Sequence, residues 1–186
     1  MSQEEKRALR EQYLAIRRAM PIDDIESKSE AIMARLVSLP QFENASVIFT
    51  YISMPSEVIT YELIRFCWQR GKEVAVPITI PGKTDMYFVL FDDFQTLNKT
   101  SFGVMQPQKG QIVEPGEGAP IIVPGVVFGH NKYRIGYGRG FYDFYLGVHP
   151  GTYNIGLSFS EQLVDYVHFE AHDIPMHHII TENGIL

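Results

Sequence analysis

One stretch of this sequence constrains the fold more than any other, because an apolar run, a glycine-rich loop and a short helical pattern follow one another in it. The apolar run Pro120–Gly129 is typical of a buried strand that ends in a turn. The pattern Phe141–Leu146 is typical of a helix of about two turns that ends at Gly147. Strands that alternate with helices are the mark of α/β folds, so this stretch predicts that fold class.

The loop between this strand and this helix suits an anionic ligand. Gly136, Gly138 and Gly140 can adopt backbone angles closed to other residues, and without a Cβ they let backbone N–H groups approach an oxyanion. The N–H groups at the start of the helix lack partners and lie at the positive end of its dipole. Residues 118–142 include no Asp or Glu, and their charged side chains are Lys132, Arg134 and Arg139. The loop therefore predicts a phosphate site, with a solvated surface turn as the alternative.

Spacing excludes the named phosphate loops. The dinucleotide fingerprint needs a third glycine where Phe141 stands, and no acidic residue ends a following strand at the right distance. Walker A needs a glycine, four intervening residues and then Gly-Lys-Ser or Gly-Lys-Thr, and this spacing is absent, as are the catalytic-loop and metal-binding triplets of protein kinases. The loop therefore belongs to another class.

Length and charge limit the classes of protein that need to be considered. With 186 residues, of which 45% are hydrophobic, the chain is expected to form a single domain over residues 1–186. The net charge of -6 argues against general binding to nucleic acid or to a membrane surface. The single Cys67 excludes an internal disulfide and a multi-cysteine metal site. With no apolar run of about 20 residues and no signal-peptide core, we expect a cytoplasmic protein.

The rest of the chain alternates between helical and strand patterns. The predicted helices are Gln3–Met20, a second one capped by Asp23 or Asp24 and ended by Pro40, and a third from Thr60 to Arg70. The predicted strands are Ser46–Ile52, Glu73–Ile78, Met86–Phe91, Asn154–Phe159 and a last one within His177–Leu186. Gly103–Gly118 is predicted to be a loop. This order predicts a mostly parallel sheet flanked by helices on both faces, in a Rossmann-like three-layer architecture.

Two further groups of polar residues could reach a ligand. Lys6, Arg10 and Arg17 fall within a narrow arc of the first helix, so they either lean toward an anion or form a solvated face. Glu57 lies in the loop that leaves the carboxyl end of the first strand. Ligands of open α/β sheets bind at that edge, so Glu57 is a candidate contact.

The histidines and the cysteine give weaker evidence for a catalytic or metal-binding role. His168 and His172 have the i, i+4 spacing of a zinc helix, but the glutamate between them is misplaced and Pro175 limits any helix there. Asp173 beside His172 is either part of a hydrogen-bonded turn or a magnesium ligand near the phosphate loop. Cys67 is best explained as a small core residue.

With these residues in view, the chain resembles the 5-formyltetrahydrofolate cyclo-ligases, also called methenyltetrahydrofolate synthetases, over nearly its whole length. The resembling stretches are Lys6–Arg10, Ser53–Glu57, Pro124-Gly125, Arg134–Asp143, Gly156, Gln162 and His172–Pro175. Of these, the block Arg134–Asp143 is quite specific to the family.

The resemblance implies an ATP- and Mg²⁺-dependent ring closure that turns 5-formyltetrahydrofolate into 5,10-methenyltetrahydrofolate, with release of ADP and phosphate. The formyl group is an amide-like, poor electrophile, so its oxygen must first receive the γ-phosphoryl group of ATP. Nitrogen 10 then attacks and phosphate leaves. The expected partner is this small-molecule folate, with or without a polyglutamate tail, and the expected state is a monomer.

The resemblance also implies roles for individual residues. Those implied to bind ATP are Lys6, Arg7, Arg10, Arg134, Gly136, Gly138, Arg139, Gly140 and Tyr142, of which Arg134, Arg139 and Tyr142 are implied to be catalytic. Those implied to contact the folate are Ile52, Glu57, Tyr137 and Phe141. Those implied to hold magnesium are Asp143 and Asp173, although Asp143 could also be a first-turn acid favoured by the helix dipole.

Two other functions fit the same kind of scaffold. A ligand-sensing domain could bind a sugar phosphate or a nucleotide at the glycine loop without turning it over, and fold alone does not exclude this. An isomerase or acyl-transferase ranks lower, because the sequence offers no convincing pair of nucleophile and base.

Overall fold

The computed structural model describes residues 3–80, 82–101 and 103–186. The helices are α1 (Gln3–Ala19), α2 (Ile22–Val37), α3 (Pro40–Glu43), α4 (Tyr61–Gln69) and α5 (Phe141–Val148). The strands are β1 (Val47–Phe49), β2 (Glu73–Thr79), β3 (Met86–Leu90), β4 (Leu97–Lys99), β5 (Met105–Pro107), β6 (Pro120–Val123), β7 (Val127–Gly129), β8 (Arg134–Ile135), β9 (Tyr153–Leu157), β10 (Leu163–Val164), β11 (His178–Thr181) and β12 (Gly184–Ile185). The predicted helices and strands occur in the predicted order, and short elements are added between them.

Seven strands form one large sheet in the order β12-β11-β9-β6-β1-β2-β3. The pairs β2-β1, β1-β6, β6-β9 and β9-β11 are parallel, and only the edge strands β3 and β12 join in antiparallel fashion. All four residues of β6 are buried, as expected of a strand covered on both faces. The prediction of a mostly parallel sheet is confirmed.

Helices cover both faces of this sheet. On one face, Ile32 and Leu36 of α2 and Leu63 of α4 pack in a common core. On the other face, Tyr145 and Leu146 of α5 pack with aromatic residues of the sheet. Each fully buried Leu or Ile contributes about 1.5–3 kcal/mol to stability. The predicted three-layer architecture is therefore confirmed.

A second, three-stranded sheet of order β10-β7-β8 positions α1. Val127 and Ile135 of this sheet pack against Leu9, Tyr13 and Leu14 of α1. Because β8 leads directly into the glycine loop, this packing brings α1 beside that loop. Within the described ranges, no helix combines the length and apolar character that a membrane span requires.

Prolines account for most differences between the predicted and observed elements. α2 begins directly after Pro21, whose extended backbone (φ -58°, ψ 146°) already marks the boundary, so the prediction of a cap by Asp23 or Asp24 is wrong. Those two acids lie in the first turn, where their negative charge interacts favourably with the helix dipole. Pro40 does not end α2 but begins α3, a position where its missing N–H costs little.

Three segments are more finely divided than the sequence predicts. The apolar run 120–129 is split at Pro124-Gly125 into β6 and β7, which lie in different sheets, since proline cannot donate to a ladder. The C-terminal run forms a hairpin of β11 and β12 instead of one strand. The predicted loop 103–118 contains β5, which pairs with β4 and is tied to β2 by a hydrogen bond of 3.1 Å from Thr79 N to Gln106.

Candidate active site

The candidate site lies at the topological switch point of the large sheet, where the strand order reverses. β1 pairs with β2 on one side and with β6 on the other, so the loops that leave the carboxyl ends of β1 and β6 diverge. Such a crevice is the usual ligand site of open α/β sheets. The loop after β1, the turn Pro124-Gly125 and the glycine loop 136–140 meet at this point.

The loop after β1 is held by hydrogen bonds between its own residues. The Thr60 hydroxyl donates to Tyr51 O at 2.7 Å and accepts from Ser53 N at 3.0 Å, and Thr60 N donates to the Ser53 hydroxyl at 3.1 Å. Thr60 stands at the predicted start of α4, but its hydroxyl stabilises this loop and does not cap the helix. The loop thereby presents Glu57 in a fixed position.

Glu57 is a buried carboxylate, 4% exposed, at the floor of the crevice. One of its oxygens accepts from Met54 N at 2.8 Å, and the other accepts from the Tyr137 hydroxyl at 2.6 Å. Burial raises the pKa of Glu57, while the charge of Arg17 and these two hydrogen bonds act in the opposite direction. The contact to Tyr137 joins the loop after β1 to the glycine loop.

Arg17 is a part of the site that the resemblance did not assign. Its side chain comes from α1, is 2% exposed, and donates to Gly125 O at 3.2 Å and to the Ser56 hydroxyl at 3.3 Å. It also donates to the Tyr137 hydroxyl. The available signal was the row of cations on α1, and the structure turns Lys6, Arg10 and Arg17 of that row toward the site.

The glycine loop is shaped by Arg10 and by left-handed backbone. Arg10 Nε donates to Gly136 O at 2.7 Å. Gly138 has φ 92°, and a Cβ there would lie 3.3 Å from the Arg10 guanidinium carbon. Gly140, with φ 70°, is the N-cap of α5. These angles strain other residues, so the loop needs glycine at these two positions.

Arg134 and Asp143 form a two-pronged ion pair beneath the loop. The two guanidinium nitrogens lie 3.1 and 3.2 Å from the two carboxylate oxygens. Arg134 also donates to Ile174 O, and Asp143 accepts from Ile174 N at 3.1 Å. Among the described side chains, the buried polar atoms without a hydrogen-bond partner are Arg134 Nε, Tyr142 Oη and Tyr145 Oη. Two of these three, Arg134 Nε and Tyr142 Oη, belong to the block Arg134–Asp143.

The cations at the start of α1 are divided between the site and solvent. Lys6 Nζ lies 2.7 Å from Glu170 and 3.5 Å from Asp173, which places it beside the candidate magnesium ligand. Burial lowers the pKa of Lys6, but the hydrogen bond to Glu170 and the charge of Asp173 raise it by more. Arg7 instead pairs with Glu11 at 2.9 Å on the exposed side of the helix, so the structure does not bring it to the site.

A cavity of about 590 Å³ opens on one side of the glycine loop. It is lined by the hairpin turn 82–85 between β2 and β3 and by Gly138, Arg139 and Phe141. The charged residues that line it are Lys83, Arg139 and Asp85, so two cations and one carboxylate border this space and the balance of charge favours an anion. Ile52, by contrast, is 4% exposed and packs in the core on the α2 and α4 side of the sheet.

The carboxylates fit a magnesium ion that arrives with a nucleotide better than one held by protein alone. Across residues 3–80, 82–101 and 103–186, no group of three or more His, Cys, Asp or Glu side chains could hold a metal. Asp143 is engaged by Arg134, and Asp173 accepts from Glu170 N at 2.7 Å. Mg²⁺ commonly binds one or two carboxylates and completes its shell with phosphates and water, so these two aspartates suffice only for that arrangement.

Comparison with known proteins gives consistent results. Residues 2–182 match the model of the 5-formyltetrahydrofolate cyclo-ligase family. The chain is 27% identical to the 5-formyltetrahydrofolate cyclo-ligase of Mus musculus, over 96% of this chain and 94% of that protein. It is 25% identical to the enzyme of the same name from Escherichia coli K12, over 91% and 96%.

Solved structures share the fold. The 5,10-methenyltetrahydrofolate synthetase of Aquifex aeolicus superposes with a TM-score of 0.81 at 27% identity, covering 97% of this chain and 91% of that one. The 5,10-methenyltetrahydrofolate synthetase of Mycoplasma pneumoniae superposes with a TM-score of 0.76 at 24% identity, covering 95% and 98%. At that identity the second comparison shows the fold alone.

Proposed function

This chain belongs to the 5-formyltetrahydrofolate cyclo-ligase family, and we propose that it closes the folate ring with ATP in the crevice between β1 and β6. As a family member it is a ligase that converts 5-formyltetrahydrofolate to 5,10-methenyltetrahydrofolate.

The reaction needs a leaving group on the formyl carbon. The γ-phosphoryl group of ATP moves to the formyl oxygen, nitrogen 10 of the folate attacks the formyl carbon and loses its proton, and the formyl oxygen leaves within inorganic phosphate. The protein's task in such a transfer is to align the two substrates and to stabilise the charge that develops.

We assign the phosphates of ATP to the glycine loop. The N–H groups of the first turn of α5 have no partner within the helix, and Arg139 and Lys83 face the adjoining cavity. Arg10 supports the loop through its hydrogen bond to Gly136 O and stays within reach of an anion there. Gly138 and Gly140 permit the backbone angles of this cradle. Lys6 adds positive charge next to Asp173.

We assign the folate to the neighbouring Glu57, Tyr137 and Phe141. The Glu57 carboxylate uses one lone pair on each oxygen for Tyr137 and Met54, and each oxygen keeps capacity for a further donor. The pterin ring offers such donors in its amino and ring N–H groups. Phe141 lines the cavity side of the loop. Ile52 supports this pocket from the core.

We assign transition-state stabilisation to Arg134, Arg139 and Tyr142. Arg134 Nε and Tyr142 Oη are buried polar atoms that have no hydrogen-bond partner in the protein, and such atoms are costly unless a ligand uses them. A transferring phosphoryl group offers acceptor oxygens for both. Asp143 holds Arg134 in place, and with Asp173 it would hold the Mg²⁺ that neutralises phosphate charge during transfer.

The observation that supports this function most is that the glycine loop borders both the Glu57 carboxylate and the cavity with Lys83 and Arg139. Tyr137, which contacts Glu57, and Arg139, which lines the cavity, are two residues apart in the glycine loop. The formyl group of a folate bound at Glu57 would thus lie near a phosphate bound at the loop. Positioning of this kind, together with electrostatic stabilisation, supplies most of the catalysis in phosphoryl transfer.

The test is a near-ultraviolet absorbance assay for the methenyl product. Purified protein is mixed with 5-formyltetrahydrofolate and Mg²⁺, with and without ATP. We expect product only when ATP is present, with one ADP released per methenyl group formed. A folded protein that binds ATP without forming product would favour the ligand-sensing alternative.

We propose a cytoplasmic monomer that also accepts folates with a polyglutamate tail, whose carboxylates would meet the cations at the cavity mouth. Gel filtration checks the monomeric state. A comparison of mono- and polyglutamylated substrates in the same assay checks the substrate range.

A further inference from the structure

Arg17 is an unusual residue for its position. A guanidinium is rarely buried unless hydrogen bonds satisfy it, yet Arg17 is 2% exposed near the end of an otherwise largely exposed helix. Its neighbour Arg18 is exposed. Burial of one cation and exposure of the next indicate that Arg17 has a specific task in the crevice.

The contacts of Arg17 connect three loops at the point where the folate is proposed to bind. It donates to Gly125 O after β6, to Ser56 in the loop after β1 and to the Tyr137 hydroxyl in the glycine loop. Its guanidinium carbon also lies 5.5 Å from the centre of the Tyr137 ring. A planar guanidinium can serve three acceptors in fixed directions, and a lysine cannot reproduce this geometry.

The contact from Arg17 orients the hydroxyl hydrogen of Tyr137. Because the Tyr137 oxygen accepts from Arg17, its own hydrogen is free to point to Glu57, at 2.6 Å. This chain of hydrogen bonds holds the Glu57 carboxylate in one orientation. Charge-assisted networks of this kind are stronger than their single bonds in a buried setting.

The charged and titratable groups around Glu57 come from four parts of the chain. They are Arg17 of α1, Tyr51 after β1, Tyr137 of the glycine loop and Tyr142 of α5. Burial raises the pKa of all three tyrosines, so each is neutral near pH 7. Within this set, Arg17 is thus the group whose charge favours the carboxylate form of Glu57.

We propose that Arg17 is a positioning residue of the folate pocket, which acts through Tyr137 to orient Glu57 and presents it to the substrate as a carboxylate. The inference rests on the proposed function, because it takes Glu57 as a folate contact. Arg17 touches neither reacting atom, so its effect falls on folate affinity more than on ATP affinity.

The test is calorimetric titration of the whole protein with 5-formyltetrahydrofolate in the absence of ATP, and separately with a non-hydrolysable ATP analogue. The variants are Arg17→Lys, Arg17→Met, Tyr137→Phe and the double variant Arg17→Lys/Tyr137→Phe, with Arg18→Met as the control. We expect Arg17→Lys to weaken folate binding about tenfold, as loss of a charged hydrogen bond does. ATP-analogue binding should be unchanged, and Arg18→Met should match the wild type.

Two further readouts separate positioning from a loss of structure. If Arg17 acts through Tyr137, Arg17→Lys costs much less affinity in the Tyr137→Phe background than in the wild type. As the pH falls, Glu57 becomes protonated and folate affinity is lost. In Arg17→Met this loss should begin at a higher pH than in the wild type, because the missing positive charge raises the pKa of Glu57. If Arg17→Met does not fold, the folate affinities of Arg17→Lys, Tyr137→Phe and the double variant decide whether Arg17 acts through Tyr137.

The inference is overturned if Arg17→Lys binds folate as tightly as the wild type. It is equally overturned if the variant loses both ligands alike, or if its cost is the same with and without the Tyr137 hydroxyl. Wild-type turnover, measured on the same preparation, tests the proposed function separately: a wild type that binds folate without converting it would refute the function and leave the result on Arg17 standing.

Discussion

The cations of α1 differ in what they face, although they stand close together in the sequence. Arg10 donates to Gly136 O in the glycine loop, and Arg17 is buried behind Tyr137. Arg7 pairs with Glu11 near the surface, where both side chains are mostly exposed. Exposed pairs of this kind contribute little to stability. The three arginines therefore make unequal contributions that the sequence alone does not rank.

Exchanging Arg10 and Arg7 separately for alanine tests this ranking. We expect Arg10→Ala to raise the KM for ATP by at least about tenfold, equivalent to about 1.4 kcal/mol, because it removes a charged support of the phosphate loop. Arg7→Ala, the matched control, should leave the KM for ATP within about twofold, since its side chain faces solvent. Steady-state kinetics with varied ATP measure both. Equal effects of the two variants would contradict the geometry.

Asp143 has two proposed tasks that one variant can separate. Asp143→Asn leaves the buried Arg134 without its countercharge, and we expect the free energy of unfolding to fall by about 2 kcal/mol. If Asp143 also holds magnesium, activity should fall at least about tenfold and more Mg²⁺ should be needed for half-maximal rate. Thermal unfolding and a magnesium titration measure the two effects. Lower stability with an unaltered titration would leave Asp143 as the partner of Arg134 alone.

At the scale of secondary-structure elements, the glycine loop and α5 act as one unit. Gly140 caps α5 in the left-handed conformation, and Arg134 ties the first turn of α5 to β8 through Asp143. Gly138 lies against the Arg10 guanidinium and has its own left-handed backbone. The loop can therefore be disturbed without changing any charge.

Gly138→Ala tests the shape of the loop, and Gly147→Ala in the same region serves as the control. A Cβ at position 138 adds strain of about 1–2 kcal/mol and presses on Arg10, so we expect lower stability and a higher KM for ATP. A Cβ at position 147 meets nothing within 4 Å inside α5, so Gly147→Ala should stabilise the protein by up to about 1 kcal/mol. Chemical unfolding and kinetics check both. A neutral Gly138→Ala would show that the loop adapts.

Most elements could be predicted from the sequence, because their apolar periodicity is local information. The boundaries at Pro21 and Pro40 were predicted less well, since proline both ends and begins helices and only tertiary packing decides which. The division of 120–129 between two sheets depends on the pairing of β7 with β8 and β10. β8 follows β7 after a turn, and β10 lies far along the chain. Such pairings leave no mark on a short sequence window.

At the scale of the whole molecule, the candidate site depends on contacts between distant parts of the chain. The glycine loop, Glu57 and the basic face of α1 could be singled out from sequence, because glycine spacing, a strand end and a row of cations are visible there. The burial of Arg17 and its three contacts could not, since they arise only when α1 packs on the small sheet. Lys83 likewise reaches the cavity only through the hairpin of β2 and β3.

We propose that the site brings the formyl oxygen of the folate to the γ-phosphoryl group of ATP. This transfer is followed with 5-formyltetrahydrofolate labelled with oxygen-18 in the formyl group, by mass spectrometry of the phosphate released as the methenyl product forms. We expect each phosphate to carry the labelled oxygen. Unlabelled phosphate, with the label found in water, would contradict it, because ATP would then be cleaved without activating the formyl group.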